Sequence, residues 1–206
     1  KTLYVTPLYE QIRRFSTNYV RPFIDQSPVK AAWLGTSTEK SVLQRSFTNL
    51  SLMIFSFALL DADRVRGISA HKVAIDEIQD MDPDHLPIIE EVMSHSPWQL
   101  SQYTGTPKSN DNPIAGLFKR SSQAEWFIPC LNAGCKTDGK TTWNIPSKEY
   151  HLADMIGPMH PHISERFPGV VCHRCRRPIN PRMGHWVHKN KLQRWEFAGY
   201  HVPQLL

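Results

Sequence analysis

The stretch "KVAIDEIQD", residues 72 to 80, is the most informative part of this 206-residue sequence. Residues 73 to 75 are apolar and predict a short buried strand, which Asp76 and Glu77 follow directly. In open parallel sheets, ligands bind beyond the carboxyl ends of the strands. An acidic pair at such an end suits phosphate chemistry, in which one carboxylate holds Mg²⁺ and the other aligns the attacking water. The alternative is a strand that ends in a solvated acidic turn.

The segments before this strand alternate between strand and helix patterns. "TLYVTP" (2 to 7) predicts a buried strand, and "AAWLG" (31 to 35) a second, shorter one. "VLQRSF" and "LSLMIFSFA" flank Thr48-Asn49 and predict a hairpin. Residues 8 to about 24 predict an amphipathic helix, because apolar residues recur there at helical spacing: Leu8, Ile12, Phe15, Tyr19 and Phe23.

The segments after the acidic pair continue the alternation. Asp82 predicts a helix cap, with Pro83 at the first helical position. "WQLSQYTGTP" (98 to 107) predicts a strand that runs into a tight turn. We therefore expect residues 1 to 123 to form an α/β domain with a mainly parallel sheet. Beyond a boundary near residue 123, the periodicity fades and cysteine and histidine accumulate.

The hydrophobic fraction of 40% is enough for a core, and the net charge is +5. No apolar run reaches about 18 residues, so we expect no membrane-spanning helix.

The segment between Glu165 and Glu196 contains no carboxylate. Because all its charged residues are basic, it suits a polyanionic partner such as nucleic acid. A solvated basic face is the alternative. The stretch contains Trp186 and eight basic residues: Arg166, Arg174, Arg176, Arg177, Arg182, Lys189, Lys191 and Arg194.

The four cysteines form two close pairs, Cys130 with Cys135 and Cys172 with Cys175. Two such pairs separated by a loop are the ligand layout of a zinc ribbon, with one pair on each knuckle. The first pair is spaced more loosely than usual, and a histidine from the intervening loop is an alternative to Cys130 (His151, His160 or His162). Free thiols and a disulfide are further alternatives, and we expect His173 to point away from the metal.

The segment "GCKTDGKT", residues 134 to 141, matches the phosphate-loop pattern G-x-x-x-x-G-K-[ST]. A true phosphate loop needs a helix that opens at Lys140. The β-favouring residues that follow and Pro146 argue against one. The segment also comes after the acidic strand instead of before it. "GTSTEKS" (35 to 41) fails because Glu39 replaces the second glycine. We expect residues 134 to 143 to be a knuckle and strand of the ribbon.

Two longer stretches carry a resemblance to a known family. "RVRGISAHKVAIDEIQDM" (64 to 81), followed by "SQYTGTPKSNDNPI" (101 to 114), resembles the ATPase motor of the large subunit of tailed-phage terminases. "TLYVTPLYEQIRRF" (2 to 15) resembles the strand and helix that follow the phosphate loop in that family. The paired cysteines and "WEFAGYHVPQLL" (195 to 206) resemble the zinc-ribbon insertion and return segment of its lambda-type branch.

The resemblance implies a partial P-loop-NTPase-type α/β fold with a zinc-ribbon insertion at 124 to 195 and a return segment at 196 to 206. It implies an ATP hydrolase that packages double-stranded DNA into a procapsid in the host cytoplasm. Asp76 would coordinate Mg²⁺, Glu77 would be the catalytic carboxylate, and Thr104, Gly105 and Thr106 would couple hydrolysis to motion. Zinc would be held by Cys130, Cys135, Cys172 and Cys175. The implied partners are the terminase small subunit, the portal and further copies of the chain.

The sequence departs from the family in one respect. The family's phosphate loop should precede Thr2 by about the length of a helix, and its nuclease domain should follow the motor. We therefore expect this chain to be a fragment of a larger polypeptide, inactive by itself. A helicase-like ATPase and a non-enzymatic zinc module that binds nucleic acid are the competing interpretations. For Arg66, a salt bridge is the simpler expectation, and a contact with phosphate or with a neighbouring subunit is the alternative.

Overall fold

A computed structural model describes residues 1–28, 41–59, 62–148, 154–156 and 169–203. The chain divides into two compact units, Lys1–Gly116 and Leu117–Leu206. The predicted strand at 31 to 35, most of the "GTSTEKS" segment and Arg166 lie outside the described residues, as do the loop histidines His151, His160 and His162. No helix in the described ranges is long and apolar enough to cross a membrane.

A five-stranded, mainly parallel sheet forms the first unit. Its strands are β1 (Thr2–Thr6), β2 (Gln44–Ser46), β3 (Leu52–Phe57), β4 (Lys72–Ile75) and β5 (Leu100–Tyr103). The spatial order is β2-β3-β1-β4-β5, and only the β2–β3 pair is antiparallel. The mixed α/β class, the parallel sheet and the hairpin are thus as predicted. Successive side chains of a strand point to opposite faces of the sheet. One face of β1 and β4 is buried, and its residues Leu3, Val5, Val73 and Ile75 are 0–1% exposed.

The helix predicted from residue 8 forms, but its second half buries a different face from the predicted one. It consists of α1 (Tyr9–Arg14), a π-helix (Phe15–Val20) and α2 (Arg21–Gln26). Its buried residues follow every fourth position: Ile12, Ser16, Val20 and Ile24. Tyr19 and Phe23, which the helical spacing placed on the apolar face, are 67% and 72% exposed. The π-helical bond from the Arg21 N–H to the Ser16 carbonyl spans five residues and rotates the later turns.

Two further helices follow the acidic strand and its neighbour in the chain. They are α3 (His85–Glu91) and α4 (Pro113–Arg120). The helix predicted to start at Pro83 begins two residues later, because Asp82 closes a turn first. Its Oδ1 accepts the Asp84 N–H at 3.0 Å, and its carbonyl accepts the His85 N–H at 3.0 Å.

The second unit contains a small sheet and a separate hairpin. Its strands are β6 (Ala124–Pro129), β7 (Lys136–Thr137), β8 (Lys140–Thr141), β9 (Trp143–Asn144), β10 (His185–His188) and β11 (Tyr200–His201). β6 is the central strand and pairs with β9, β10 and β11. The parallel pairing of β11 with β6 joins the predicted return segment to the start of the predicted insertion. The division into an insertion at 124–195 and a return segment stays a prediction.

The phosphate-loop match at 134–141 folds as the β7–β8 hairpin. Asp138 and Gly139 form its two-residue turn with φ of 50° and 74°, the left-handed conformation that such hairpin turns require. Lys140 and Thr141 lie in a strand, so no helix opens at the lysine. This confirms the expectation that the segment lacks the structural context of a phosphate loop.

Candidate functional site

Asp76 lies directly after β4, and hydrogen bonds from both neighbouring strands reach its carboxylate. The Tyr4 hydroxyl, on β1, donates to Oδ2 at 2.6 Å. The Thr104 hydroxyl, just after β5, donates to Oδ1 at 2.6 Å. Tyr4 is opposite Ala74 in the parallel register, and a period of two places Asp76 on the same face of the sheet. The position and direction of this carboxylate are therefore set by three strands.

The number of hydrogen bonds limits what else Asp76 can bind. Its Oδ1 also accepts the Glu77 N–H at 3.0 Å, which brings the total to three. A carboxylate has about four lone-pair sites, so one remains, on Oδ2. Asp76 can thus make one more contact, directly to a cation or through a water. That capacity fits Mg²⁺, which keeps several of its waters when proteins bind it.

Tyr4 is a member of this site that the sequence did not reveal. Burial raises the pKa of its phenol far above the ordinary value, and the hydrogen bond to Asp76 raises it further. The phenol therefore stays protonated and remains a donor to Asp76 at all physiological pH values. Its ring stacks on Phe15 with the centroids 4.2 Å apart, which fixes its direction. In the sequence, Tyr4 is only one apolar member of a buried strand.

Glu77 turns the chain sharply where β4 ends. Its backbone is left-handed, with φ 54° and ψ 36°, a conformation that costs a non-glycine residue on the order of 1 kcal/mol. Its carboxylate Oε2 accepts a hydrogen bond of 2.5 Å from Gln79 Nε2. The side chain is half-buried, so it keeps access to solvent beside Asp76.

The Thr104–Thr106 segment packs against the turn that contains Glu77. The Thr104 N–H donates to the Ile75 carbonyl at 2.9 Å, and the Ile78 N–H donates to the Thr104 carbonyl at 3.2 Å. A Cβ at Gly105 would lie 2.2 Å from Gln79 Oε1, so a larger residue there would displace the Gln79 amide. The five residues predicted for this edge (Asp76, Glu77, Thr104, Gly105 and Thr106) are therefore brought together, although their roles stay predictions.

Two arginines that precede the acidic strand make local contacts. Arg66 forms an ion pair with Asp63, with Nε 2.7 Å from Oδ1 and both side chains exposed. The Arg64 guanidinium lies 4.7 Å from the centroid of the Phe57 ring. The simpler expectation, a salt bridge, is the contact that Arg66 makes. Lys108 forms an exposed ion pair with Asp80, with Nζ 2.5 Å from Oδ1.

In the second unit, the four cysteines gather into one cluster. The sulfur atoms of Cys130, Cys135, Cys172 and Cys175 all lie within 4.8 Å of one another. The Sγ atoms are 3.7 Å apart between Cys130 and Cys175, and 3.8 Å apart between Cys135 and Cys172. Four sulfurs bound at about 2.3 Å to a tetrahedral zinc lie about 3.8 Å apart. A disulfide needs about 2.05 Å, and all four thiols are free. The donor set and spacing fit zinc.

The four cysteines lie in or beside tight turns of the backbone. The Arg176 N–H donates to the Cys172 carbonyl at 2.9 Å, and Arg176 has a left-handed φ of 58°. Gly134, next to Cys135, has a φ of 76°. Burial raises the pKa of the Cys172 thiol to about 12. A cation that binds the cluster must therefore displace protons, which couples its affinity to pH.

Side chains around the cluster stabilise it from outside. Asn132 Nδ2 lies 3.3 Å from Cys130 Sγ and donates to the Pro178 carbonyl at 3.1 Å, joining the two knuckles. His173 Nδ1 lies 2.8 Å from the Oδ1 of Asn144, a fully buried residue. Asn132 and Asn144 are not recognisable from the sequence, because a single asparagine has no distinctive pattern.

Three arginines of the basic stretch bind groups within the second unit. Arg176 forms an ion pair with Asp154, with Nη2 2.7 Å from Oδ1, and also donates to the Asp154 carbonyl. Arg174 donates to Thr137 Oγ1, and Arg177 to the Ala133 carbonyl, each at 2.7 Å. Arg174 and Arg177 thus connect the second knuckle to the first knuckle and its hairpin, whereas Arg176 connects the second knuckle to Asp154. Arg182 and Lys191 are exposed, and contact of the basic stretch with a polyanion stays a prediction.

The fold and the acidic edge together define a class of protein. A mainly parallel sheet with two carboxylates after a central strand is the arrangement that ATP-hydrolysing α/β proteins use. The family model described as phage terminase large subunit gpA, ATPase domain, matches residues 1–195, and the chain belongs to this family. A comparison with curated proteins finds no match. The family suggests ATP hydrolysis and a role in phage DNA packaging, and it confirms the resemblance seen at residues 64–81 and 101–114.

Proposed function

We propose that this chain is part of the ATP-hydrolysing motor of a phage terminase large subunit, which drives double-stranded DNA into a procapsid in the host cytoplasm. The observation that supports it best is the Asp76 carboxylate, which three hydrogen bonds hold beside Glu77 at the end of β4. Such fixed carboxylates suit phosphoryl transfer, because its catalysis consists mainly of positioning and charge stabilisation.

Asp76 and Glu77 have different roles in this proposal. Asp76 holds Mg²⁺, directly or through water, with the one lone-pair site that its hydrogen bonds leave. When bound with ATP, Mg²⁺ neutralises negative charge on the phosphates. Glu77 accepts a hydrogen bond from the attacking water and orients it toward the γ-phosphate. The Thr104–Thr106 segment, whose backbone contacts the Glu77 turn, transmits the state of the nucleotide to the rest of the motor.

The second unit supplies the zinc site and a basic surface. Cys130, Cys135, Cys172 and Cys175 hold one structural zinc, which stabilises the two knuckles and their hairpin. The exposed basic residues contact DNA phosphates, which position a protein without reading sequence. The family further implies the small subunit, the portal and other copies of the motor as partners.

Replacement of Glu77 tests the proposal, in the full-length gene product that contains this chain. Glu77→Gln keeps the shape of the side chain and removes the carboxylate. We expect steady-state ATP turnover to fall by about 10²–10⁴-fold, while ATP affinity changes little because ground-state contacts lie elsewhere. Glu91→Gln, an exposed glutamate at the end of α3, is the matched control. Turnover by Glu77→Gln within a few-fold of this control would refute the role of Glu77.

A further inference from the structure

Gln79 lies between the two parts of the acidic edge and contacts both. Its Nε2 donates to Glu77 Oε2 at 2.5 Å, and its Oε1 accepts the Thr106 N–H at 3.0 Å. The side chain is half-buried, in the short 3₁₀ helix Ile78–Asp80. One planar amide thus joins the Glu77 carboxylate to the backbone of the Thr104–Thr106 segment.

The chemistry of the two neighbours dictates the orientation of this amide. A backbone N–H can only donate a hydrogen bond, and an ionised carboxylate can only accept one. Oε1 must therefore face Thr106, and Nε2 must face Glu77. A glutamate at position 79 would place a second negative charge against Glu77. A methionine would fill a similar volume without either hydrogen bond.

Gly105 holds the segment close enough for this bridge to form. A Cβ at Gly105 would lie 2.2 Å from Gln79 Oε1 and 3.2 Å from Ile78 Cγ2. The backbone therefore passes close to the amide, and a side chain at position 105 would displace it. The Ile78 N–H also holds this segment, through the Thr104 carbonyl at 3.2 Å.

We propose that Gln79 is a positioning residue, which orients the Glu77 carboxylate and links its direction to the position of the Thr104–Thr106 backbone. This inference rests on the proposed function, because it takes Glu77 to be the group that orients water. The Thr106 N–H sets the direction of the amide, and the amide sets the direction of the carboxylate. A displacement of the Thr104–Thr106 segment therefore changes the orientation of the Glu77 carboxylate, although the segment itself does not contact the attacking water.

The first test is Gln79→Met in the full-length protein, with ATP turnover and ATP binding measured separately. We expect kcat to fall by about 10–100-fold, the effect of a misplaced reacting group, and KM for ATP to stay within about threefold. Gln102→Met, on the exposed side of β5 in the same sheet, is the matched control and should leave both values unchanged. Gln79→Glu keeps the shape and the acceptor for Thr106 but repels Glu77, and should lower kcat at least as much.

A double-mutant cycle separates positioning from a merely structural role. If Gln79 acts through the Glu77 carboxylate, Gln79→Met should cause no further loss in single-turnover hydrolysis once Glu77→Gln is present. A structural role would instead lower the melting temperature and add its full effect in both backgrounds. A kcat for Gln79→Met within threefold of the Gln102→Met control, or full additivity in the cycle, would overturn the inference.

The same measurements keep the two proposals apart. If Glu77→Gln is slow but Gln79→Met is normal, the inference about Gln79 fails and the proposed function stands. If Glu77→Gln itself turns over normally, the proposed role of Glu77 fails, and the inference fails with it.

Discussion

Metal removal from the four-cysteine cluster should unfold the second unit and leave the first folded. The perturbation is a strong chelator added to the purified protein. The four sulfurs lie in one cluster with edges of 3.7 and 3.8 Å, already the spacing of a tetrahedral zinc site. The two knuckles come from distant parts of the chain, and the cluster connects them together with hydrogen bonds from Asn132, Arg174 and Arg177. Loss of the metal therefore leaves only these hydrogen bonds between the knuckles.

The size of the effect follows from comparing two free energies. Structural zinc contributes about 10–16 kcal/mol of apparent binding free energy in small zinc domains at pH 7. An entire domain is usually stable by only about 5–15 kcal/mol. Two of the sulfur–sulfur distances, 3.7 and 3.8 Å, already match a tetrahedral zinc site. The free energy lost when the metal is removed should therefore exceed the stability that residues 117–206 have without it.

Hydrogen exchange measured by mass spectrometry resolves the two units. After chelation, peptides from 124–148 and 169–188 should lose their protection, whereas peptides from β1 and β4 should keep theirs. Cys175→Ser removes one ligand without a chelator and should lower zinc content and protection in the same peptides. Ser122→Ala, a buried site outside the cluster, is the control for a mutation in the same unit and should leave zinc content unchanged.

Two results would refute this reasoning. Elemental analysis finding no zinc in freshly purified, never-chelated protein would exclude a structural zinc. Unchanged protection of residues 124–148 after verified metal removal would show that the knuckles are stable without the metal.

Three further predictions concern the remaining sites. Lys140→Ala should leave ATP affinity and turnover of the full-length protein within a few-fold of normal, because the lysine lies in a hairpin strand; a loss as large as that of Glu77→Gln would restore the phosphate-loop interpretation. Tyr4→Phe should lower the free energy of unfolding in urea by about 1.5–3 kcal/mol, since it removes a hydrogen bond to a charged acceptor. Tyr9→Phe, at a more exposed ring, is the control, and an equal effect of the two substitutions would contradict the prediction. Arg182→Ala should lower the slope of log affinity for DNA against log salt concentration by about one, and an unchanged slope would point to a protein partner. Arg176→Ala should chiefly lower the melting temperature, because it breaks the ion pair with Asp154.

The sequence by itself determined the elements whose signals are local. The apolar run before Asp76 predicted β4, and the two segments around Thr48-Asn49 predicted the hairpin of β2 and β3. The alternation of strands and helices predicted the mainly parallel sheet, and the carboxyl-end rule then placed Asp76 near Thr104. The cysteine spacing predicted the cluster. These inferences succeeded because periodicity and ligand spacing are properties of neighbouring residues.

Only the tertiary structure decided which distant side chains meet. The bond from Tyr4 to Asp76 depends on the register of β1 against β4, and the bridge through Gln79 depends on how closely the Gly105 backbone approaches. The π-helix Phe15–Val20 shifted the buried face in the second half of the first helix, through backbone hydrogen bonding that side-chain spacing does not encode. The charge run likewise did not reveal that Arg176 forms an ion pair with Asp154. Charge and hydrophobicity describe what a side chain can bind, but register and backbone approach determine which partner is within reach.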